Sequence, residues 1–166
     1  MAVDIPQSIK DAIRKAESGG QPYIKATTSS ASGLYQFLKA TWIGLGGKWG
    51  GDPSKAFGGL KPTVAEQNAM FDKFIQQNAE YLTGKGVAIN SGTLYAAHFL
   101  GNSGAVKVYK APDTGAIKDY VSKAQMDANP NVFKNIKTVA DFKAWALRKG
   151  GGIANAIPST FQSSSR

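Results

Sequence analysis

Ile9, Ile13 and Glu17 follow one another at a spacing of four, so a helix carrying them puts all three on one face. Pro6 suits the first turn of that helix, and Gly19, Gly20 and Pro22 end it. Residues 21–36 are rich in Thr, Ser and Gly and hold no helical period, which predicts a short β-hairpin or an irregular segment. A short helix is expected over 38–45, followed by a Gly-rich connection over 46–62. The longest period runs over 63–82, with Val64, Gln67, Phe71, Phe74, Ile75, Asn78 and Leu82 as its inward stripe. Gln67 and Asn78 are polar, so on that stripe each needs a hydrogen-bond partner, either buttressing the core or facing a cleft. Further helices are expected over 92–100, from a Ser103 cap through Tyr109, and over 117–128, where Asn129-Pro130 stops the last of them. Thr138-Val139-Ala140-Asp141 has capping-box character and opens a final helix over 139–149 that Gly150-Gly151-Gly152 ends. The pattern is that of a mainly α helical bundle over residues 1–150. A tail over 151–166, ending Ser163-Ser164-Ser165-Arg166, reads as a flexible or docking segment.

Composition narrows the chemistry. The 166 residues suit one domain with a real core, and 42% hydrophobic residues exclude a disordered chain. No apolar run approaches the roughly 20 residues of a membrane span. The absence of cysteine excludes disulfides and thiolate zinc sites, and a single histidine, His98, argues against a histidine metal site or triad. The formal charge of +9 draws the protein toward polyanions, whether nucleic acid, anionic membrane or anionic cell wall. The basic residues are scattered, with Lys107, Lys110, Lys118, Lys123, Lys134, Lys137, Lys143, Arg148 and Lys149 tilting the charge toward the C-terminal half. No nucleic-acid motif or concentrated basic helix accompanies them, so no nucleic-acid partner is expected. Met1-Ala2-Val3-Asp4-Ile5-Pro6 lacks the basic start and apolar stretch of a secretion signal.

Glu17 is the candidate for acid–base chemistry. A carboxyl on an inward line is desolvated, and a helix C-terminus adds partial negative charge; both favour its protonated form. A carboxyl that keeps its proton near neutral pH is what a general acid requires. The alternative is a surface pair with Arg14, three residues away.

Glu17-Ser18-Gly19, followed by Ser32-Gly33-Leu34-Tyr35-Gln36-Phe37 and Thr41-Trp42, resembles the lytic transglycosylase branch of the lysozyme superfamily. Ala96-Ala97-His98-Phe99-Leu100-Gly101 stands where many members carry Ala-Tyr-Asn-Ala-Gly, and it is similar to a variant of phage-borne members. Asp127-Ala128-Asn129-Pro130-Asn131-Val132-Phe133 resembles the end of that variant. The resemblance covers roughly residues 5 to 135. It implies an α+β lysozyme-like fold: a helical bundle with a sugar cleft and a short β-hairpin or irregular cleft wall.

The resemblance also implies a reaction. Glu17 protonates the oxygen between N-acetylmuramic acid and N-acetylglucosamine, then takes the proton of the muramoyl C6 hydroxyl as that oxygen closes onto C1. The product is a 1,6-anhydro sugar, and no second carboxylate, metal or cofactor is needed. A hydrolase would add one, and Asp52 and Asp72 are the candidates by family layout; Asp52, beside Pro53, reads first as a turn residue. The resemblance places Gln36 in the cleft, where its amide suits N-acetyl sugars. Of Tyr35 and Phe37, one ring is expected to stack on a sugar and the other to pack inward. Gly33 is expected to permit close backbone approach, and Ser18 either to bond Glu17 or substrate or to stop the helix. His98 and Phe99 replace the motif's tyrosine and asparagine, which puts substrate contacts there in question. His98 reads more simply as a packed helical residue. A late tyrosine bonding the acid is a family feature; Tyr120 is the candidate, with Tyr95 and Tyr109 as rivals.

The function expected is therefore a peptidoglycan lytic transglycosylase used by a phage for wall penetration or lysis. Its partners would be glycan strands and, through the tail, virion proteins. It would reside in the virion or the host cytoplasm and act on the wall from the periplasm. The alternatives are a muramidase of the same fold and a virion structural or wall-binding protein without catalysis.

Overall fold

The computed structural model describes residues 3–158. Among them are eight α-helices and no β-strand, so the chain is mainly α. It divides into two compact units, one of Asp11–Ile75 and the other of residues up to Lys10 together with those from Gln76 onward. Two helices, α1 (Gln7–Ser18) and α3 (Val64–Gly84), each run from one unit into the other. No helix among the described residues is long and apolar enough to cross a membrane.

The unit of Asp11–Ile75 also holds α2 (Lys39–Gly44) and long irregular segments around an aromatic core. Tyr35 stacks on Phe71 with ring centroids 4.0 Å apart, Phe37 meets Trp42 edge-on, and Phe57 leans on Trp42 and Trp49. Each ring sealed this way contributes about 1.5–3 kcal/mol over its exposed state. Phe57 adopts a left-handed backbone, φ 54°, and is fully buried. A bulky residue reaches that region only when its surroundings insist; here the Phe57 N–H donates to Ser32 Oγ at 3.0 Å and its carbonyl accepts from Gly50 N–H at 2.9 Å. Residues 21–38 form no hairpin of strands. Their backbone is irregular, tied by two single antiparallel bridges, Lys25–Ser32 and Ser32–Phe37.

Gln67 organises this irregular stretch. Its side chain is sealed from solvent, with Oε1 accepting from Leu34 N–H at 2.9 Å and Nε2 donating to the carbonyls of Pro22 and Pro62 at 3.0 and 3.1 Å. The polar interruption of the α3 stripe is thus a buttress. Gly33 lies against it at φ 80°; a Cβ there would stand 2.4 Å from Gln67 Oε1 and 2.5 Å from Phe57 Cζ. Val64 departs from the predicted stripe and is exposed. It is the first residue of α3, a turn ahead of the point where Gln67 enters the core, and Thr63 and Glu66 cap that end in solvent.

In the other unit α4 (Ser91–Leu100) is buried around most of its circumference and packs on α5 (Asn102–Tyr109) and α8 (Val139–Lys149). Ser103 does not cap α5 as expected. The break falls at Gly101, φ 85°, so Ser103 already lies inside the helix. The single helix expected over 117–128 is also corrected. A 3-10 turn at Ile117–Asp119 precedes α6 (Lys123–Ala128), because the Ser122 hydroxyl accepts from Gln125 N–H and starts a new helix. Pro130, expected only as a stop, opens the one-turn α7 (Pro130–Phe133). The α8 capping box forms as predicted, with Thr138 Oγ1 and the Asp141 carboxylate exchanging bonds with each other's backbone.

Both ends of the described chain are tied into this unit. Val3 and the Gln76 amide bond reciprocally, at 2.9 and 2.6 Å. The segment after α8 is held to residues 89–91: Ser91 N–H donates to Ile153 O, Ile153 N–H to Ser91 Oγ and Ile157 N–H to Ile89 O. Within the segment over 151–166, read as flexible or docking, Ile153 and Ile157 make these bonds to the start of α4 and the residues just before it. Residues 159–166 lie outside the described residues.

Candidate functional site

Glu17 is the penultimate residue of α1 and is half-buried, whereas Ile9 and Ile13 on the same line are fully buried. Ser18 ends the helix: its hydroxyl donates to Arg14 O and accepts from Gly20 N–H, both at 3.0 Å. Gly19 and Gly20 then turn the chain away at φ 62° and 89°. Of the readings open for Ser18, the helix stop is the one these bonds describe. Arg14 pairs with Asp11 at 3.1 Å.

Gly33, Tyr35, Gln36 and Phe37 fall in the same unit as Glu17. The split expected for the aromatic pair is not observed. Tyr35 is 3% exposed and Phe37 2%, so both rings pack inward and neither offers a face to a sugar. The reason is the odd residue between them: Gln36 takes φ 54°, which turns the chain so that alternation is lost. The Tyr35 hydroxyl donates to Asn68 Oδ1 at 2.5 Å. Burial raises the Tyr35 phenol above its ordinary value, against the lowering pull of the Arg14 guanidinium. Asn68, one residue past the stripe on α3, was not singled out by pattern; its position beside Gln67 is the only signal it left.

Gln36 is half-buried, and its Nε2 donates to the carbonyls of Gly33 at 3.0 Å and Ile24 at 3.3 Å. A non-glycine residue held in the left-handed region stores about 1–3 kcal/mol of strain, and such residues cluster at functional positions. Gly33 does permit a close approach, but to Gln67 and Phe57 of its own unit.

Of the second-carboxylate candidates, Asp52 is a turn residue. Its Oδ1 accepts from Ser54 N–H at 3.0 Å and Ser54 O–H at 2.6 Å, and these bonds hold its carboxyl below the usual range. Asp72 is exposed on α3.

His98, Phe99 and Tyr120 belong to the other unit. Phe99 is half-buried in an aromatic cluster with Tyr95, Phe133 and Trp145. His98 is half-buried on α4, and Tyr120 lies over Gly115, whose Cβ position is 2.9 Å from Tyr120 Cε2. Among the rival tyrosines, Tyr95 is buried, and the Tyr109 hydroxyl rests on Gly92, where burial pushes its phenol up. Among the described residues, no group of three or more His, Asp or Glu side chains gathers as metal ligands would. No protein-family model matches the chain, and no curated protein matches it either.

Proposed function

We propose that the protein is a peptidoglycan lytic transglycosylase with Glu17 as its one catalytic carboxyl. The observation that carries this reading is the setting of Glu17: a half-buried carboxyl at a helix end stopped by Ser18-Gly19-Gly20, in the same unit as the strained Gln36. The order of the Glu17-Ser18-Gly19 and Gly33-Leu34-Tyr35-Gln36-Phe37 segments, and the mainly α architecture, support it. The finer lysozyme-like description, with a sugar cleft walled by residues 21–36, belongs to the same proposal.

In this reaction the Glu17 carboxyl gives its proton to the glycosidic oxygen as the bond from muramoyl C1 breaks. The carboxylate left behind takes the C6 hydroxyl proton, and O6 bonds to C1. The nucleophile is part of the bound sugar, so its attack needs no captured water. Asp52 is bound up in its turn, which favours the one-carboxyl reaction over hydrolysis. A phage setting, with glycan strands as partner and carriage in the virion or release at lysis, completes the proposal.

The test is mass spectrometry of soluble products from purified peptidoglycan, with wild type and Glu17→Gln in parallel. Anhydromuropeptides from wild type alone are expected. Reducing ends would make the protein a muramidase, and no release by wild type would leave a wall-binding or structural role.

A further inference from the structure

Three concavities of the Asp11–Ile75 unit share walls in series. The first, about 630 Å³, has Leu60 and Lys61 in common with a second of about 330 Å³. The second has Lys25 and Lys55 in common with a third of about 560 Å³. Lys73, Lys48, Lys61, Lys55, Lys25 and Lys39 stand along this run. Among the described residues Glu66 is the one carboxylate in those walls, and it is engaged by the Thr63 hydroxyl at 3.2 Å. None of the six lysines forms an ion pair among the described residues, whereas Lys123 and Lys143 of the other unit pair with Asp127 and Asp113. The Lys25 and Lys73 ammonium groups donate to carbonyl oxygens, which orients them without neutralising them. Concave walls in which one charge sign predominates, here six lysines to one carboxylate, concentrate the potential and draw in counter-charged chains.

We propose that this run is a binding track for a linear polyol-phosphate polymer, a flexible polyanion without bases. The charged groups of the track are ammonium point charges, with no arginine among them, and such charges suit phosphate oxygens approaching from any direction. Thr27, Thr28, Ser29 and Ser30 add hydroxyl donors at one end. A single-stranded nucleic acid would need a succession of free aromatic faces. Here Trp42 is buried with its Nε1 donating to Lys48 O, the half-buried Trp49 packs on Phe57 with ring centroids 5.5 Å apart, and the Tyr23 ring is faced by Lys61 at 5.8 Å. The track does not depend on the chemistry proposed for Glu17.

The test uses the full chain carrying Glu17→Gln, so that no turnover intervenes, and titrates it with poly(glycerol phosphate), oligo-dT and poly-L-glutamate at low and high salt. Two triple variants of equal charge change are compared. Lys39→Gln/Lys55→Gln/Lys61→Gln neutralises exposed track residues, and Lys107→Gln/Lys118→Gln/Lys134→Gln neutralises exposed lysines of the other unit. The expected result is salt-dependent binding of poly(glycerol phosphate), weakened about tenfold or more by the first triple with a shallower salt slope, and changed less than about twofold by the second. Equal loss in both triples would reduce the effect to net charge and overturn the track. So would no binding at low salt, or tighter track-dependent binding of oligo-dT or poly-L-glutamate.

Discussion

Replacing Gln67 by Glu changes one atom at the buried junction of three chain segments. The new oxygen would stand where Nε2 now donates to Pro22 O and Pro62 O at 3.0 and 3.1 Å. In its protonated form the Gln67→Glu side chain satisfies one of these carbonyls and strands the other, which costs about 1–3 kcal/mol. In its ionised form it strands both and leaves a buried charge facing two carbonyl dipoles. The folded state therefore favours the proton, and the folded-state pKa lies above the unfolded value of about 4.3. The neutral form's advantage is fully present below that unfolded value. As pH rises the unfolded chain ionises first, and stability falls by about 1.4 kcal/mol per pH unit until the folded carboxyl ionises too. By pH 6.5 the further loss reaches about 3 kcal/mol, a large share of the 5–15 kcal/mol that typically holds a domain folded. Urea denaturation followed by tryptophan fluorescence measures this, since Trp42 and Trp49 lie in the same unit as Gln67. Each point is compared with wild type at the same pH, and Gln67→Met serves as a pH-independent control. A deficit of equal size at pH 4 and pH 6.5 would refute the sealed junction.

Gly33→Ala adds a methyl group where Gln67 Oε1 and Phe57 Cζ are 2.4 and 2.5 Å away, on a backbone at φ 80°. It should lower stability by about 2–4 kcal/mol in the same denaturation assay. Gly150→Ala places its Cβ 2.1 Å from Ser91 O at ordinary backbone angles. It should cost about 1–3 kcal/mol and speed hydrogen exchange at the Ser91 amide. The Asp141 carboxyl is held below its ordinary range by the N–H groups of Lys137 and Thr138. Its contribution is present above the unfolded value of about 3.9 and lost as pH falls through the folded value. Asp141→Asn should therefore melt earlier than wild type at pH 7, with the gap closing under acid conditions; a constant gap would deny the capping role.

Elements whose signals are local were legible in the sequence. The α8 capping box lies within four residues, and α1 and α3 follow their apolar periods to within about two residues. The break at Ser122 was legible in principle, since Ser122 and Gln125 have N-cap spacing, but the helical spacing of Ile117, Tyr120 and Val121 concealed it. That Gln67 needs partners could be read from its place on the stripe; that they are Leu34, Pro22 and Pro62 could not, because those contacts span up to 45 residues. The inward turn of both Tyr35 and Phe37 hangs on a left-handed glutamine, which propensity does not foretell. The lysine track was hidden for a related reason. Its members are spread from Lys25 to Lys73 with no block of charge, and only the folding of irregular segments lines them up.

The way the two units divide the chain sets an order for its birth on the ribosome. Asp11–Ile75 is continuous, so all of that unit has been synthesised before most of the other exists. The other unit needs Val3 against Gln76 and Ile157 against Ile89, so it cannot close until nearly the last described residue has emerged. Closing loops of that length carries an entropic cost that grows only slowly with their span. Waiting for Ile157 is therefore a matter of time more than of free energy. During that wait the segment bearing Glu17 and Gln36 has every residue of its own unit available, while the buried helix α4 still lacks the cover of α8.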